Sequence, residues 1–169
     1  MALLKNVKCM WAQVQQPDTR FEPMWHITAV LTKEQQDQLQ KEAKAQDPKG
    51  KGLKFKEDEQ GNVTYRFRRK VARADGEGEN NPPLVCGPKG KDDVFNKLIG
   101  NGSTVNIQYI FLPYKNKFGT GLTHDLKGVQ VINHIPFGAQ DGDEFGAEAT
   151  EETGGPENTN NEFDDEDFN

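Results

Sequence analysis

Residues 104–119 read TVNIQYIFLPYKNKFG, and the fold turns on how they are taken. Val105, Ile107, Tyr109 and Phe111 alternate with Asn106, Gln108 and Ile110. Period-two alternation of β-branched and aromatic residues is the pattern of a strand with one buried face. Gly100, Asn101 and Gly102 precede it as turn residues, and Pro113, which has no N–H for a ladder, is expected to end it. Beyond the proline, Tyr114, Lys115, Lys117 and Phe118 interleave rings with cations, and Gly119 and Gly121 relax the backbone. A second strand is expected over Gly128–Ile135, with Val129, Val131 and Asn133 on one face and Gln130, Ile132 and His134 on the other. Strand, basic-aromatic loop and strand together suit a surface that stacks bases and neutralises phosphates.

Working outward from this unit, Asp92–Ile99 is expected to be a short helix with Val94, Phe95 and Leu98 as its apolar side. Pro83–Gly87 reads as a short strand anchored by Leu84 and Val85, after a polar loop over Asp75–Pro83. Val63–Ala72 is the most basic strand. Val63, Tyr65 and Phe67 fall on one face; Thr64, Arg66, Arg68 and Lys70 fall on the other. Three cations at alternate positions repel one another, so the open face calls for an anion; a merely solvated sheet face is the plainer alternative.

Towards the N-terminus, Leu3–Val14 and Met24–Leu31 read as an antiparallel pair of strands. They are joined by a loop, Gln15–Pro23, that carries Arg20 and Phe21. In the first, Val7, Cys9, Trp11 and Gln13 share a face; in the second, Trp25, Ile27, Ala29 and Leu31 alternate with His26, Thr28 and Val30. Trp11 and Trp25 suit either the core or a stacking surface. Thr32 with Gln35 three residues on has the form of a capping box, so a surface helix is expected to about Ala45, with Leu39 and Ala43 its apolar residues. Asp47-Pro48, Gly50 and Gly52 end it, a charged connection follows with Lys51, Lys54, Phe55 and Lys56, and Gly61-Asn62 is a turn.

The net charge of −6 is an average over two unlike pieces. Residues 139–169 hold twelve carboxylates and no Lys or Arg, which leaves fifteen acids against all 21 bases in residues 1–138. The body is about +6 and the tail −12, an asymmetry that suits a nucleic-acid partner for the body and a masking or interaction role for the tail. The tail is mostly Gly, Glu, Asp, Asn and Thr; too little apolar surface offsets its ordering entropy, so it is expected to be disordered alone. Its end, Phe163, Asp164, Asp165, Glu166, Asp167 and Phe168, sets rings among carboxylates, chemistry for docking into a basic pocket with an apolar floor. Two cysteines, Cys9 and Cys86, form no disulfide framework, and MALLKNVKCMW lacks an apolar run of signal-peptide length. A soluble intracellular protein without a membrane segment is expected.

Taken in order, these pieces resemble the single-stranded DNA-binding proteins of tailed bacteriophages. The resemblance rests on WAQVQQPD (Trp11–Asp18), on Trp25–Leu31 followed by a helix, on the basic strand Tyr65–Lys70, and on IGNGSTVNIQYIFLPY (Ile99–Tyr114) with Lys115. It covers nearly the whole chain; the end departs in that Asn169 follows Phe168, where the family finishes on an aromatic residue. It implies a mainly β, five-stranded oligonucleotide-binding-fold barrel over residues 1–138 with an inserted surface helix, and an acidic tail over residues 139–169. Such barrels bind across strands 2–3 and with the loops between strands 1–2 and 4–5. The implied contacts are Trp11, Arg20, Phe21, Trp25, Arg66, Arg68, Lys70, Tyr114, Lys115, Lys117 and Phe118. The implied partners are single-stranded DNA and, through the tail, replication proteins such as a polymerase and a helicase-primase, in the cytoplasm of an infected bacterium. A homo-oligomer is compatible with all of this.

An enzyme has little to stand on. His26, His124 and His134 have no chelating spacing to Cys9 or Cys86. Gly87-Pro88-Lys89-Gly90-Lys91 is too short for a phosphate loop and no Ser or Thr follows it. No cofactor or metal is expected. Two alternatives stand beside a DNA binder: a protein-interaction module for an acidic partner, and a nuclease with Asp92 and Asp93 on a metal.

Overall fold

The computed structural model describes residues 1–136; the acidic end, with the segment from Phe163 to Phe168, lies outside the described residues. β1 (Ala2–Asp18) pairs antiparallel with β2 (Met24–Val30), which pairs antiparallel with β4 (Val63–Lys70). On its other side β1 pairs antiparallel with β7 (Thr104–Asn116), and β7 forms a long hairpin with β8 (Gly119–Asn133). β3 (Lys56–Glu57) adds to the β4 edge; β5 (Leu84–Gly87) runs parallel to β8 and β6 (Gly90–Val94) closes that edge. The order is β3-β4-β2-β1-β7-β8-β5-β6, with α1 (Lys33–Gln46) between β2 and β3.

Val105, Ile107, Tyr109 and Phe111 are buried, as their alternation predicts, together with Val129 and Val131 of β8. Phe67, Ile27 and Ala29 meet them from β4 and β2. Burying a side chain of this size stabilises the fold by about 1.5–3 kcal/mol. The capping box is present: Gln35 N–H donates to Thr32 Oγ1 at 3.2 Å and Thr32 N–H donates to Gln35 Oε1 at 2.9 Å. Leu39 and Ala43 are the buried residues of α1, and Leu39 enters the core. The Tyr109 hydroxyl donates to the Glu42 carboxylate, tying the helix to β7.

The sheet departs from the sequence expectation in four places. β1 is longer than Leu3–Val14 and bulged, with Asn6 and Trp11 both at φ 54°. Each bulge shifts the alternation by one residue. The inward set is therefore Leu4, Val7, Cys9 and Val14, and Trp11 leaves the face of Val7 and Cys9.

β7 does not stop at Pro113. Its pairing with β1 ends at Tyr109, so beyond that point β8 is its one ladder partner among the described residues, and a proline is tolerated as on an edge strand. The basic-aromatic segment is thus the tip of a hairpin. β8 accordingly starts at Gly119, and a register shift at Gln108/Tyr109 turns Leu126 inward with Val129. Gly121 serves there by lacking a side chain: the Tyr114 ring lies across it, and a Cβ would meet Tyr114 Oη at 2.5 Å.

Finally, residues 92–94 belong to β6 and form no helix. The chain turns at Gly87–Gly90, Cys86 pairs with Val94, and Lys89 N–H donates to the Asp93 carboxylate at 3.1 Å. This leaves Val94 81 % exposed where a helix face would have buried it.

Candidate nucleic-acid interface

Rows of cross-strand neighbours build one surface. Met10 of β1 stands opposite Thr28 of β2, and Thr28 opposite Arg66 of β4. In the next row His26 stands opposite Arg68. Directly opposed residues point to the same face, so the alternation that sends Ile27 and Phe67 inward sends these outward. They line an open groove of about 910 Å³. Trp11 and Arg20 lie along it on one side, Lys54 and Lys56 on another, and Leu122, Thr123 and His124 of the β7–β8 hairpin form a wall. Glu57, Asp58 and Glu59, in β3 and the turn after it, also line it, so its cationic part is the Arg20, Arg66 and Arg68 side.

Trp11 faces out because its bulge is strapped from afar. Its N–H donates to Asn101 Oδ1 at 2.8 Å, and Gly102 N–H donates to Cys9 O at 2.8 Å. The indole is 63 % exposed. Arg20 is held by buried Asp18, whose carboxylate accepts from Arg20 Nε at 3.0 Å and Nη2 at 2.7 Å, and from His26 Nε2 at 2.9 Å. These donors, Arg20 first, hold the Asp18 carboxyl well below the usual carboxylate range. An ionised Asp18 requires the proton of neutral His26 on Nε2, which leaves Nδ1 buried with no partner.

β4 and β8 meet without ladder pairing among the described residues, so the sheet stays open and side chains seal the gap. Arg69 forms an ion pair with Asp125, which Lys127 joins at 3.1 Å. His124 Nε2 accepts from the Arg68 backbone N–H at 3.0 Å, and its Nδ1 is 3.1 Å from the Tyr65 hydroxyl. The accepting Nε2 fixes the neutral tautomer with the proton on Nδ1. Desolvation first, then the Arg68 charge, pulls the His124 pKa down to about 4. Desolvation also lowers that of His26 against the opposing pull of Asp18.

A stability prediction follows from the sign of these shifts. Unfolded histidines titrate near 6.5, so below that pH the unfolded chain binds more protons and folding weakens down to the folded pKa. For His124 the loss at pH 5 is about 2 kcal/mol. The lowered Asp18 pKa adds its own loss only as pH falls below about 4, the unfolded carboxyl value. Urea midpoints at about pH 7 and pH 5 should differ by an amount that His124→Gln reduces; equal midpoints would show that neither histidine is held neutral.

The groove therefore gathers Trp11, Arg20, Arg66 and Arg68 of the residues expected from sequence. Trp25 is 5 % exposed, on the face of Ile27 and Ala29, and its ring is a packing residue and not a stacking platform. Phe21 and Phe118 are 86 % and 87 % exposed but line no part of the groove; Lys117 Nζ sits 5.1 Å from the Phe118 ring centroid. Lys70 pairs with Glu22 at 3.5 Å. Tyr114 and Lys115 do not line the groove itself but a smaller cleft beyond it. Sequence reasoning passed over Met10, His26, Thr28, Lys54, Lys56 and His124. The alternation in β2 already set His26 and Thr28 opposite the core face, whereas His124 and Lys54 arrive through tertiary contacts alone. Among the described residues no three His, Cys, Asp or Glu side chains could hold a metal ion, and no helix is long and apolar enough to cross a membrane.

A core of β1, β2, β4, β7 and β8, with its groove over β1, β2 and β4, defines an oligonucleotide-binding fold, enlarged by α1 and three short strands. Solved structures with this arrangement include gp2.5, a single-stranded DNA binding protein encoded by bacteriophage T7. The two share 20% sequence identity and a TM-score of 0.57, over 84% of this chain and 89% of that one. The single-stranded DNA-binding protein from bacteriophage Enc34, in complex with ssDNA, is similar at 18% identity and a TM-score of 0.53, over 80% of this chain and 88% of that one. At such identities the likeness is one of fold. No protein-family model and no curated protein matches the sequence.

Proposed function

We propose that the chain is a non-catalytic, sequence-tolerant single-stranded DNA-binding protein that protects single strands during phage DNA replication, recombination and repair in the cytoplasm of the infected host. The observation that carries this reading is the outward face of β4, where Arg66 and Arg68 line the groove beside Arg20 and an exposed indole. Cations neutralise phosphates, and a ring stacks on any base, so such a groove has no need of sequence. The single-stranded DNA binding of the T7 and Enc34 proteins, whose fold this chain shares, supports it. Trp11, Arg20, Arg66 and Arg68 are the primary contacts. Phe21, Lys70, Tyr114, Lys115, Lys117 and Phe118 extend the interface only if the strand runs beyond the groove.

The body, residues 1–138, binds DNA, and the tail, residues 139–169, competes for the same cations. Twelve tethered carboxylates act at high effective concentration, and DNA binding frees them to recruit replication proteins. Titration with oligo(dT) at two salt concentrations tests both halves. With about five phosphates engaged, log K should fall against log salt with a slope of about −3 to −4. Deleting residues 139–169 should tighten binding at low salt. Salt-independent or absent binding would redirect attention to an acidic protein partner; unchanged affinity on deletion would remove the competing tail while leaving the groove.

A further inference from the structure

We propose that the DNA path continues out of the groove into a second basic cleft, between the loop that follows α1 and the β7–β8 hairpin, and that residues 49–54 of this loop form a second phosphate-binding segment. This rests on the single-strand reading above.

Continuity is the first argument. Lys54, Tyr65 and Leu122 line both the groove and an adjoining cleft of about 540 Å³. That cleft shares Asp47, Lys49, Thr120 and Gly121 with a further one of about 450 Å³, where Lys115 and Tyr114 form the opposite side. The three concavities are thus one furrow crossing the saddle of Tyr65 and Leu122.

Charge is the second. The loop contributes Lys49, Lys51 and Lys54 and the hairpin contributes Lys115, with Asp47 the one acid lining the two clefts. Among the described residues none of these four lysines is in an ion pair, whereas Lys33, Lys70 and Lys127 are. Unpaired lysines facing each other across a cleft suit a polyanion running between them.

The third is preorganisation. The loop is pinned to α1 by a reciprocal pair: Leu53 N–H donates to Gln40 Oε1 at 2.9 Å, and Gln40 Nε2 donates to Leu53 O at 2.8 Å. Lys44 Nζ donates to Gly50 O at 3.2 Å. Gly52 sits at φ 79°, where a Cβ would lie 2.6 Å from Gln40 Oε1. A loop fixed this way presents its lysines with less ordering cost on binding.

The test compares the full chain with its Lys49→Ala/Lys51→Ala variant on oligo(dT) of about 6 and about 20 nucleotides, one near the short end of the roughly 4–16 nucleotides that one such fold occupies and one beyond its long end. The long oligonucleotide should bind the variant about fivefold more weakly, with a salt slope shallower by about 1 to 1.5, while the short one binds both proteins equally. Equal binding of the long oligonucleotide to both proteins would overturn the second segment and leave the groove standing. Equal losses on both lengths would overturn the continuation, because the lysines would then belong to a single site. If the unaltered chain binds neither length, the single-strand reading itself fails.

Discussion

A chain carrying Arg66→Ala and Arg68→Ala together is expected to bind oligo(dT) about 100-fold more weakly at low salt. Each charged hydrogen bond to a phosphate contributes about 1.5 kcal/mol or more, and every 1.4 kcal/mol is tenfold in affinity. The salt slope should become shallower by about 1.4, since each lost phosphate contact removes about 0.7 on a single strand. The fold should not notice. Both side chains are exposed and stand on the face of β4 opposite buried Phe67, and substitutions of this kind stay within about 0.5 kcal/mol. The corresponding double lysine variant keeps the charge but loses the planar fork, so it should recover the slope more fully than the affinity. Anisotropy titrations of a labelled oligonucleotide over a salt series read both quantities. Unchanged affinity and slope would take the β4 face out of the DNA path altogether.

Phe67→Ala should be the most damaging single change to the body, at about 3–5 kcal/mol of stability. The ring is fully buried among three others: Tyr109 at 4.9 Å between centroids, Tyr65 at 5.0 Å and His124 at 5.7 Å. These neighbours come from β7, β4 and β8, so the cavity would open where the sheet is sealed by side chains and not by a ladder. Domains of this size are stable by only about 5–15 kcal/mol, and a loss of this order is a large part of the whole. With a urea slope of about 1–3 kcal/mol per molar, the midpoint should fall by about 2 M. Leu112→Ala is the matched control, since Leu112 lies on the same hairpin and is exposed. A Phe67→Ala midpoint equal to that of the control would mean that the ring does not anchor the packing of β4 against β7 and β8. Because Tyr65 and His124 line the groove, the variant should also lose DNA affinity more than its folded fraction explains.

What short-range physics encodes is legible in the residues before any fold is known. Alternation fixed the buried faces of β7, β2 and β4, and with them the outward aim of Arg66 and Arg68. Thr32 and Gln35 carried the start of α1 because a capping box is closed within four residues. The charge split between residues 1–138 and 139–169 is a matter of counting. Tertiary structure alone decided the rest, because the deciding bonds join residues far apart in the chain. Trp11 turns outward through Asn101, 90 residues away, and the bulge at Asn6 is held by Asn106, 100 residues away. No window along β1 contains those partners, so its alternation reads falsely. Val94, Phe95 and Leu98 have an apolar spacing that suits a helix over Asp92–Ile99, yet the Gly87–Gly90 turn commits residues 92–94 to a strand whose Val94 pairs with Cys86. Pro113 reads as a terminator until the one-sided pairing of β7 beyond Tyr109 is known. The groove's membership follows the same rule: a strand's period says which side chains share a face, and only the packing of β8 and of the loop after α1 against that face brings His124 and Lys54 to it.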